Sequence, residues 1–556
     1  MTMRLSIVAS AIAAAVGCGG GDDATAAESS SDAPTAEQQA PTERPPMELL
    51  PGDEPLPLEA PPPIEQPPMA ALPSTEPLPA TEQAQWHSCT RLPATAGAGA
   101  LRAARDFGAV PDDGRDDGDA LQRGLDALKS GETLKLSAGR YQINRSLHIR
   151  QAGSAITGDG ATLHATNADD MALFIDADNV TVSNLTFTAV TSGRRSAPRH
   201  GRIVVYYQQP DGALRTIRNS VIRNNRIVPG GEPGTAEANA SSATGIMLQH
   251  ADGFLVAENT VVRTLADGIH MTAGTRNGRV LNNTVREVGD DLIAVVSYAA
   301  SGTSALNTAA AMRNGWDGRV DRGLSRNILI ANNQGSGQYS GRGITVVGGD
   351  AITIGRNTLT NVPVAAAFLV AREANYQTFG SHNVLIEGNV VRDAQNLKPP
   401  YDPFNKFASG GRTGHGAIEI HAAQFADEAA DPVLRKALAV RNVVARNNII
   451  ERSSVNALRI GVNMSKTVSA TNAGGQMVSR SVVNALLDGI WVQNNKFNQI
   501  AKDPIAIPSS AISAAGIGCS GNQRDGNPYS IGVCKIATPA PTTGATLSCG
   551  SDGRVL

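Results

Sequence analysis

Short apolar runs separated by polar turns dominate the chain from about residue 106 onward. Typical runs cover residues 254–257 and 351–354, and the turns between such runs contain Gly or Asn. Runs this short, flanked by turn residues, are typical of β-strands, because amphipathic helices need a longer pattern. The sequence therefore predicts many short strands joined by turns.

A turn with Asn followed by an apolar residue recurs along this part of the chain. The same interval separates Asn259 from Asn283 and Asn333 from Asn357. A fixed interval is typical of a solenoid, in which each repeat stacks on its neighbours and Asn side chains can form ladders at the turns. The predicted fold class is therefore all-β, a right-handed parallel β-helix.

The segments before residue 86 are not expected to join the folded part. Residues 1–18 have the pattern of a bacterial lipoprotein signal, with an apolar run and small residues before Cys18, the expected lipidation site. An ordinary secretory signal is the alternative. Residues 19–85 are rich in Pro, Glu, Ala and Ser, which predicts a disordered linker. Both readings predict export to the bacterial envelope or surface, or secretion.

The remaining cysteines suggest disulfides. An exported chain with an even set of four favours two bridges, for which the expected pairs are Cys519–Cys534 and Cys89–Cys549. Spacing leaves the other pairings open. These bridges would tie a C-terminal segment, residues 511–556, to the body of the protein.

The formal net charge of −3 over 556 residues gives no reason to expect nucleic acid as a partner. Contact with a membrane is expected through the lipid anchor alone. A monomer is expected, because a capped solenoid has no exposed strand edge to pair.

Part of the chain resembles the pectate-lyase-like superfamily, over roughly residues 104–510. The resemblance is carried by residues 106–109, 116–117, 120–122 and 139–141. It implies an N-terminal cap over residues 86–145 with a short capping helix, followed by the parallel β-helix over residues 146–510. The superfamily includes hydrolases, lyases, epimerases and non-catalytic surface proteins, so the resemblance implies a fold more strongly than an activity.

Three acidic residues precede two equivalent apolar runs. Asp267 comes before the run 268–271, and Asp290 and Asp291 come before the run 292–295. If the runs are strands of successive coils, they stack roughly 4.8 Å apart and bring the three carboxylates into one patch. Because like charges repel, at least one carboxylate should have a raised pKa or share a cation.

These residues resemble the two-coil aspartate motif of polygalacturonase-type hydrolases. The resemblance implies that Asp290 is the general acid and that Asp267 and Asp291 orient and deprotonate a water. Inverting hydrolysis also requires a wide pair of carboxyl groups with room for that water. The predicted function is hydrolysis of a polysaccharide that contains uronic acids, with no cofactor required.

Arg342 supports a second chemistry, because those hydrolases have histidine in the coil where this chain has arginine. Calcium-dependent polyuronate lyases that resemble this fold use clustered aspartates to hold Ca²⁺ and a basic side chain to remove a proton. By this resemblance Asp267, Asp290 and Asp291 would bind Ca²⁺ and Arg342 would be the base of a lyase or epimerase. A third hypothesis is a non-catalytic glycan-binding or structural surface protein.

Further candidates come from aligning the strands, although lone histidines are usually structural. The alignment predicts one outward-facing column made of Met247, His270, Ala294, Thr345, Glu419, Arg459 and Trp491. His270 then points outward beside the aspartates and is a candidate acid or base. The candidate substrate-binding residues are Tyr298, Tyr339, His415 and Arg459. Of these, His415 and Arg459 are expected two or more coils beyond the aspartates.

Overall fold

Three long sheets of stacked strands surround one continuous apolar core in the computed structural model. The residues described are 99–168, 173–194, 201–210, 214–298, 323–403, 414–462, 465–471, 477–507, 516–532 and 544–545. Along most of the described residues, successive strands visit the three sheets in turn, so most circuits of the chain add a strand to every sheet. The predicted right-handed parallel β-helix is therefore confirmed.

Sheet 1 contains 15 strands in the described part of the chain. They are Leu101–Ala103, Thr133–Leu136, Ala155–Gly158, Thr181–Ser183, Ile217–Arg218, Val221–Arg223, Ala251–Asp252, Leu255–Ala257, Arg276–Leu281, Ser325–Ala331, Gly349–Gly355, Ser381–Glu387, Val440–Arg446, Leu487–Gln493 and Ile517–Ser520. Sheet 2 contains 13. They are Gly139–Ile143, Ala161–Ala165, Thr186–Ala189, Arg226–Ile227, Thr260–Val262, Thr284–Arg286, Gln334–Ser336, Thr358–Val362, Val390–Ala394, Ile449–Ser453, Lys496–Asn498, Gln523–Arg524 and Asn527–Pro528.

Sheet 3 also contains 13 strands among the described residues, and it carries the candidate site. They are Leu147–Ile149, Leu173–Ile175, Gly201–Val205, Thr244–Gln249, Ile269–Thr272, Ile293–Val296, Ile344–Val347, Phe368–Arg372, Ile418–Phe425, Leu458–Ile460, Ser465–Thr471, Met477–Asn484 and Ile505–Ala506. Strands Ser465–Thr471 and Met477–Asn484 form an antiparallel hairpin that joins the edge of Ile418–Phe425. The other strands pair in parallel.

Helices are few among the described residues. A 3₁₀-helix spans Ala104–Phe107, and α-helices span Gly118–Asp126, Ala426–Ala430 and Pro432–Ala437. The helix Gly118–Asp126 lies within the expected cap and places Leu121 and Leu125 in the core. That this helix seals the end of the core stays a prediction.

None of the helices in the described ranges is both long enough and apolar enough to cross a membrane. Cys519 is disulfide-bonded. Its proposed partner Cys534, the proposed pair of Cys89 and Cys549, and the lipidation site Cys18 lie outside the described residues. The cysteine pairing, the signal and the linker therefore stay predictions.

A buried asparagine ladder follows the turn from sheet 1 to sheet 2. Its members are Asn225, Asn259, Asn283, Asn333, Asn357, Asn389, Asn448, Asn495 and Asn522. At Asn333 the side-chain amide donates to Asn357 Oδ1 (2.9 Å) and to the Val280 carbonyl (3.0 Å). Its own Oδ1 accepts the backbone and side-chain N–H groups of Asn283. The ladder satisfies buried polar groups that neighbouring coils would otherwise leave unpaired.

The register of sheet 3 confirms most of the predicted column and corrects the rest. Met247, His270, Ala294 and Thr345 pair in succession, followed by Leu369, Glu419 and Arg459. We refer to these seven residues as the outward column. Leu369 is an additional member. Trp491 was placed wrongly, because it pairs with Val444 in sheet 1. The hairpin of residues 465–484 precedes its strand and interrupts the regular order of the coils.

Replacing Asn333 by Ala should destabilise the fold, because it leaves several buried groups without partners. Each such group costs about 1–3 kcal/mol. The free energy of unfolding, measured by urea denaturation, should fall clearly. Thr358→Ala, at a half-buried strand position in the next coil, is the control and should change it little. Equal losses in the two variants would contradict a specific role for the ladder.

Candidate active site

The three aspartates meet at the entry to two neighbouring strands of sheet 3. Asp267 precedes Ile269–Thr272, whereas Asp290 and Asp291 precede Ile293–Val296. One oxygen from each carboxyl group lies within 4.8 Å of the other two, and all three residues are buried. The predicted carboxylate patch is therefore confirmed in its position and in its members.

Two glycines allow the coils to approach closely at this point. A Cβ atom at Gly268 would overlap the Val285 side chain, and one at Gly341 would overlap the Asp290 carboxyl group. Larger residues would therefore push the coils apart or displace Asp290. Gly341 gives the Asp290 carboxyl group room against the backbone of the next coil.

Asp267 and His270 form a buried pair. His270 Nδ1 lies 2.8 Å from Asp267 Oδ2, and Asp267 Oδ1 accepts the backbone N–H of Asp291 (3.1 Å). Burial alone would lower the pKa of His270, but Asp267, Asp291 and Asp290 together raise it above its ordinary value. The pair thus favours a protonated imidazole that fixes the orientation of the Asp267 carboxylate.

Asp290 is surrounded by groups that shift its pKa. Burial raises its pKa to about 8, Asp267 contributes in the same direction, and Arg194 opposes the rise. The Arg194 guanidinium contacts Asp290 Oδ2 directly. Asp290 therefore holds a proton at neutral pH, which is the state that a general acid needs.

Asp291 lies beside Asp290 and behaves differently. Burial raises its pKa to about 6, while Arg342 acts in the opposite direction. The backbone N–H of Arg342 donates to Asp291 Oδ1 (2.7 Å). At neutral pH Asp291 is therefore mostly an anion, and one cleft contains both an acid and a base.

The guanidinium of Arg342 pairs with the Glu373 carboxylate, and both residues are buried. A buried counter-ion stabilises the charged form of arginine, whereas a catalytic base has to be neutral. The role of Arg342 as a proton-abstracting base, expected from the lyase resemblance, therefore does not fit this geometry. Arg342 instead acts as a fixed cation and as a donor to Asp291.

A cleft opens over this cluster. The other side chains that line it are Val296, Tyr298, Val347, Glu373 and Tyr376. The structure therefore brings His270, Arg342 and Tyr298 together with the three aspartates, as the sequence predicts. Aromatic rings next to polar groups are a common lining for small-molecule and sugar sites.

Tyr339 does not take part in this lining. It is completely buried, its hydroxyl donates to the Thr264 carbonyl (3.3 Å), and its ring meets Tyr401 edge-on. The expectation that Tyr339 contacts substrate is therefore wrong. The ring packs between neighbouring coils, and the sequence pattern does not reveal this packing.

His415 and the partly exposed Arg459 belong to a separate cluster around the buried Glu419. Arg459 Nη1 donates to the Gly414 carbonyl (2.7 Å), and His421 Nδ1 lies 3.1 Å from Glu419 Oε1. Glu419 stands four positions beyond His270 in the outward column, which corresponds to about 19 Å. Their expected contact with a substrate at the aspartates is therefore not supported, because the coils of Thr345 and Leu369 lie between those of Ala294 and Glu419.

Sequence reasoning missed Arg194 and Glu373. Arg194 follows the sheet 2 strand Thr186–Ala189 and reaches a residue 96 positions later. No local motif marks it. Glu373 follows Phe368–Arg372, and placing that apolar run in the outward column would have identified it.

Asp290→Asn should change how stability depends on pH. The folded pKa of about 8 lies above the ordinary 3.8, so folding binds a proton and stability falls as pH rises from about 4 to 8. Asparagine removes this proton. The free energy of unfolding of the variant, measured with urea, should therefore rise relative to that of the wild type between pH 5 and pH 9. Asp393→Asn, at a half-exposed ion pair with Arg452, is the control and should run parallel to the wild type. A parallel course for Asp290→Asn would contradict the raised pKa.

Comparison with known proteins agrees with this fold. Residues 101–339 match the family model described as rhamnogalacturonase A/epimerase, pectate lyase-like. No curated protein sequence matches the chain. The matched part of the chain and the observed parallel β-helix agree with the resemblance to the pectate-lyase-like superfamily.

Several solved structures are similar in fold. The A-module of the mannuronan C-5 epimerase AlgE6 from Azotobacter vinelandii is 14% identical, with 77% of this chain and 100% of that chain covered and a TM-score of 0.44. The GH87 α-1,3-glucanase catalytic unit from Streptomyces thermodiastaticus is 15% identical, with 78% and 70% covered and a TM-score of 0.45. An alginate lyase from Paenibacillus is 13% identical, with 74% and 94% covered and a TM-score of 0.35.

Proposed function

We propose that the protein is an exported polysaccharide-active enzyme that hydrolyses a glycosidic bond. The observation that carries this proposal is the pair of neighbouring buried carboxyl groups with separated pKa values, about 8 at Asp290 and about 6 at Asp291. At neutral pH one group is protonated and the other is ionised. Two carboxyl groups in these opposite states are the requirement for glycoside hydrolysis.

Each residue has a distinct role in the proposed reaction. Asp290 donates its proton to the leaving oxygen as the glycosidic bond breaks. Asp291, aided by Asp267, takes a proton from the water whose oxygen bonds to the anomeric carbon. His270 is a positioning residue, because it holds Asp267 through a 2.8 Å contact.

The closest oxygens of the three carboxyl groups lie within 4.8 Å of one another. Inverting enzymes typically separate their carboxyl groups by about 6.5–9.5 Å. This limit concerns one oxygen of each group, so the wide separation expected from the sequence stays a prediction. The stereochemical course is best determined from the first-formed product anomer by proton NMR.

A calcium-dependent lyase or epimerase is the second candidate. Three carboxylates with oxygens within 4.8 Å are hard ligands that could share one Ca²⁺. Such an ion would need an ionised Asp290 and would compete with Arg194, which already contacts that carboxyl group. A base other than Arg342 would also be required. Hydrolysis is therefore the better-supported proposal.

The resemblance to polygalacturonase-type hydrolases suggests a substrate that contains uronic acids. We extend the proposal to a monomer attached to the envelope through Cys18. The Arg342 guanidinium is already paired with Glu373, so neutral glycans belong in the substrate panel beside polyuronates. Reducing ends alone would indicate hydrolysis, whereas calcium-dependent absorbance of an unsaturated uronate would indicate a lyase.

Asp290→Asn should abolish cleavage in a folded protein. Loss of a general acid typically costs about 10²–10⁴-fold in rate. The measurement is release of reducing ends from the best substrate of the panel, with Asp393→Asn as the control that keeps its activity. Undiminished cleavage would overturn the role of Asp290. Glycan binding by a wild type that cleaves no member of the panel would favour the non-catalytic hypothesis.

The rate should have a bell-shaped pH dependence. On the acid side, activity should fall as Asp291 gains a proton near pH 6, and on the alkaline side as Asp290 loses its proton near pH 8. The measurement is kcat/KM from pH 4 to pH 10, with folding checked by circular dichroism. A flat alkaline limb up to pH 10 would contradict Asp290 as the acid.

A further inference from the structure

A closed loop of residues 373–378 borders the cleft directly after the strand Phe368–Arg372. The backbone N–H of Glu373 donates to Thr378 Oγ1 (2.9 Å), and the backbone N–H of Thr378 donates back to the Glu373 carbonyl (3.3 Å). Thr378 also forms an antiparallel bridge with Tyr298. These bonds hold the backbone of Glu373 in place without using its carboxylate.

The Glu373 carboxylate instead contacts the guanidinium of Arg342. Arg342 uses its other end, the backbone N–H, to donate to Asp291 Oδ1 (2.7 Å). Arg342 lies in the same position as Asp291 one coil further along, since Ile344 pairs with Ile293. One residue therefore connects this hydrogen-bonded loop to the proposed base.

We propose that Glu373 is a positioning residue that orients the proposed base Asp291 through Arg342. This inference rests on the proposed hydrolase function and deepens it. The loop fixes Glu373, Glu373 fixes the Arg342 side chain, and Arg342 presents its N–H to the carboxylate. The cleft thus depends on a carboxylate that does not itself react.

A purely structural ion pair is the competing explanation. The chain has other Arg–Glu pairs between neighbouring coils, such as Arg392 with Glu451 (2.7 Å). That pair lies on sheet 2, away from the aspartates. Glu451→Ala is therefore a control for the loss of an inter-coil ion pair, at a more exposed position.

The kinetic test separates positioning from substrate binding. Glu373→Ala should lower kcat about 10–100-fold with little change in KM, since a small misplacement of a reacting group costs up to about 10²-fold. Glu373→Gln keeps an acceptor for the guanidinium and should recover part of the rate. Tyr376→Ala, in the same loop, should raise KM instead. If Glu373→Ala changes only KM, or if it equals Glu451→Ala in kcat, the positioning role is wrong.

A double variant checks the route through Arg342. Once Arg342 is replaced by Ala, adding Glu373→Ala should reduce kcat less than 2-fold further, because the two changes remove one connection. If the kcat reduction in the double variant equals the product of the two single reductions, Glu373 acts by another route and the inference is overturned.

Hydrogen–deuterium exchange tests the same connection without any substrate. Glu373→Ala should speed exchange at the Arg342 amide, read in a peptide that covers residues 340–344, whereas Glu451→Ala should leave it unchanged. Unchanged exchange at Arg342 in Glu373→Ala would overturn the inference. If the wild type cleaves no glycan, the hydrolase proposal fails while this measurement still decides whether Glu373 fixes Arg342.

Discussion

Parallel stacking of coils at the strand spacing is the constraint on which the rest of the structure depends. Residues one coil apart come to lie roughly 4.8 Å from each other, so any side chain repeated at the coil interval becomes a column. The buried asparagines use this spacing to satisfy one another along the turn between sheets 1 and 2. The same spacing stacks Asp291 on Asp267, because Ile293 pairs with Ile269. The asparagine ladder and the stacked aspartates therefore both result from the spacing between coils.

The asparagine ladder and the aspartate patch have opposite effects on the free energy of folding. Each asparagine amide donates to its neighbour and leaves no uncompensated charge, so the ladder favours folding. The aspartates are like charges taken out of water, which favours the protonated form and raises the pKa of Asp290 and Asp291. Perturbed carboxyl groups that gather in a cleft are typical of functional sites, because a stable solenoid gains nothing from buried repulsion.

Each of the three carboxyl groups has a different partner. His270 contacts Asp267, Arg194 contacts Asp290, and the Arg342 backbone holds Asp291. A calcium ion would have to compete with these partners, whereas an acid and a base for hydrolysis can use them as they stand. The partners of the aspartates, more than the aspartates themselves, therefore distinguish a calcium site from an acid–base site for hydrolysis.

The sequence by itself determined the coil interval, the asparagine ladder and the aspartate patch, because each depends on a repeat of about one coil that is visible along the chain. The column from Met247 to Thr345 was predictable for the same reason. Only the tertiary structure decided the contacts of Arg194 and Glu373, whose partners lie 96 and 31 residues away along the chain. It also decided that Tyr339 is buried and that Trp491 belongs to sheet 1. Insertions change the register, and packing between coils decides which side chains reach the cleft, so neither can be inferred from a local pattern.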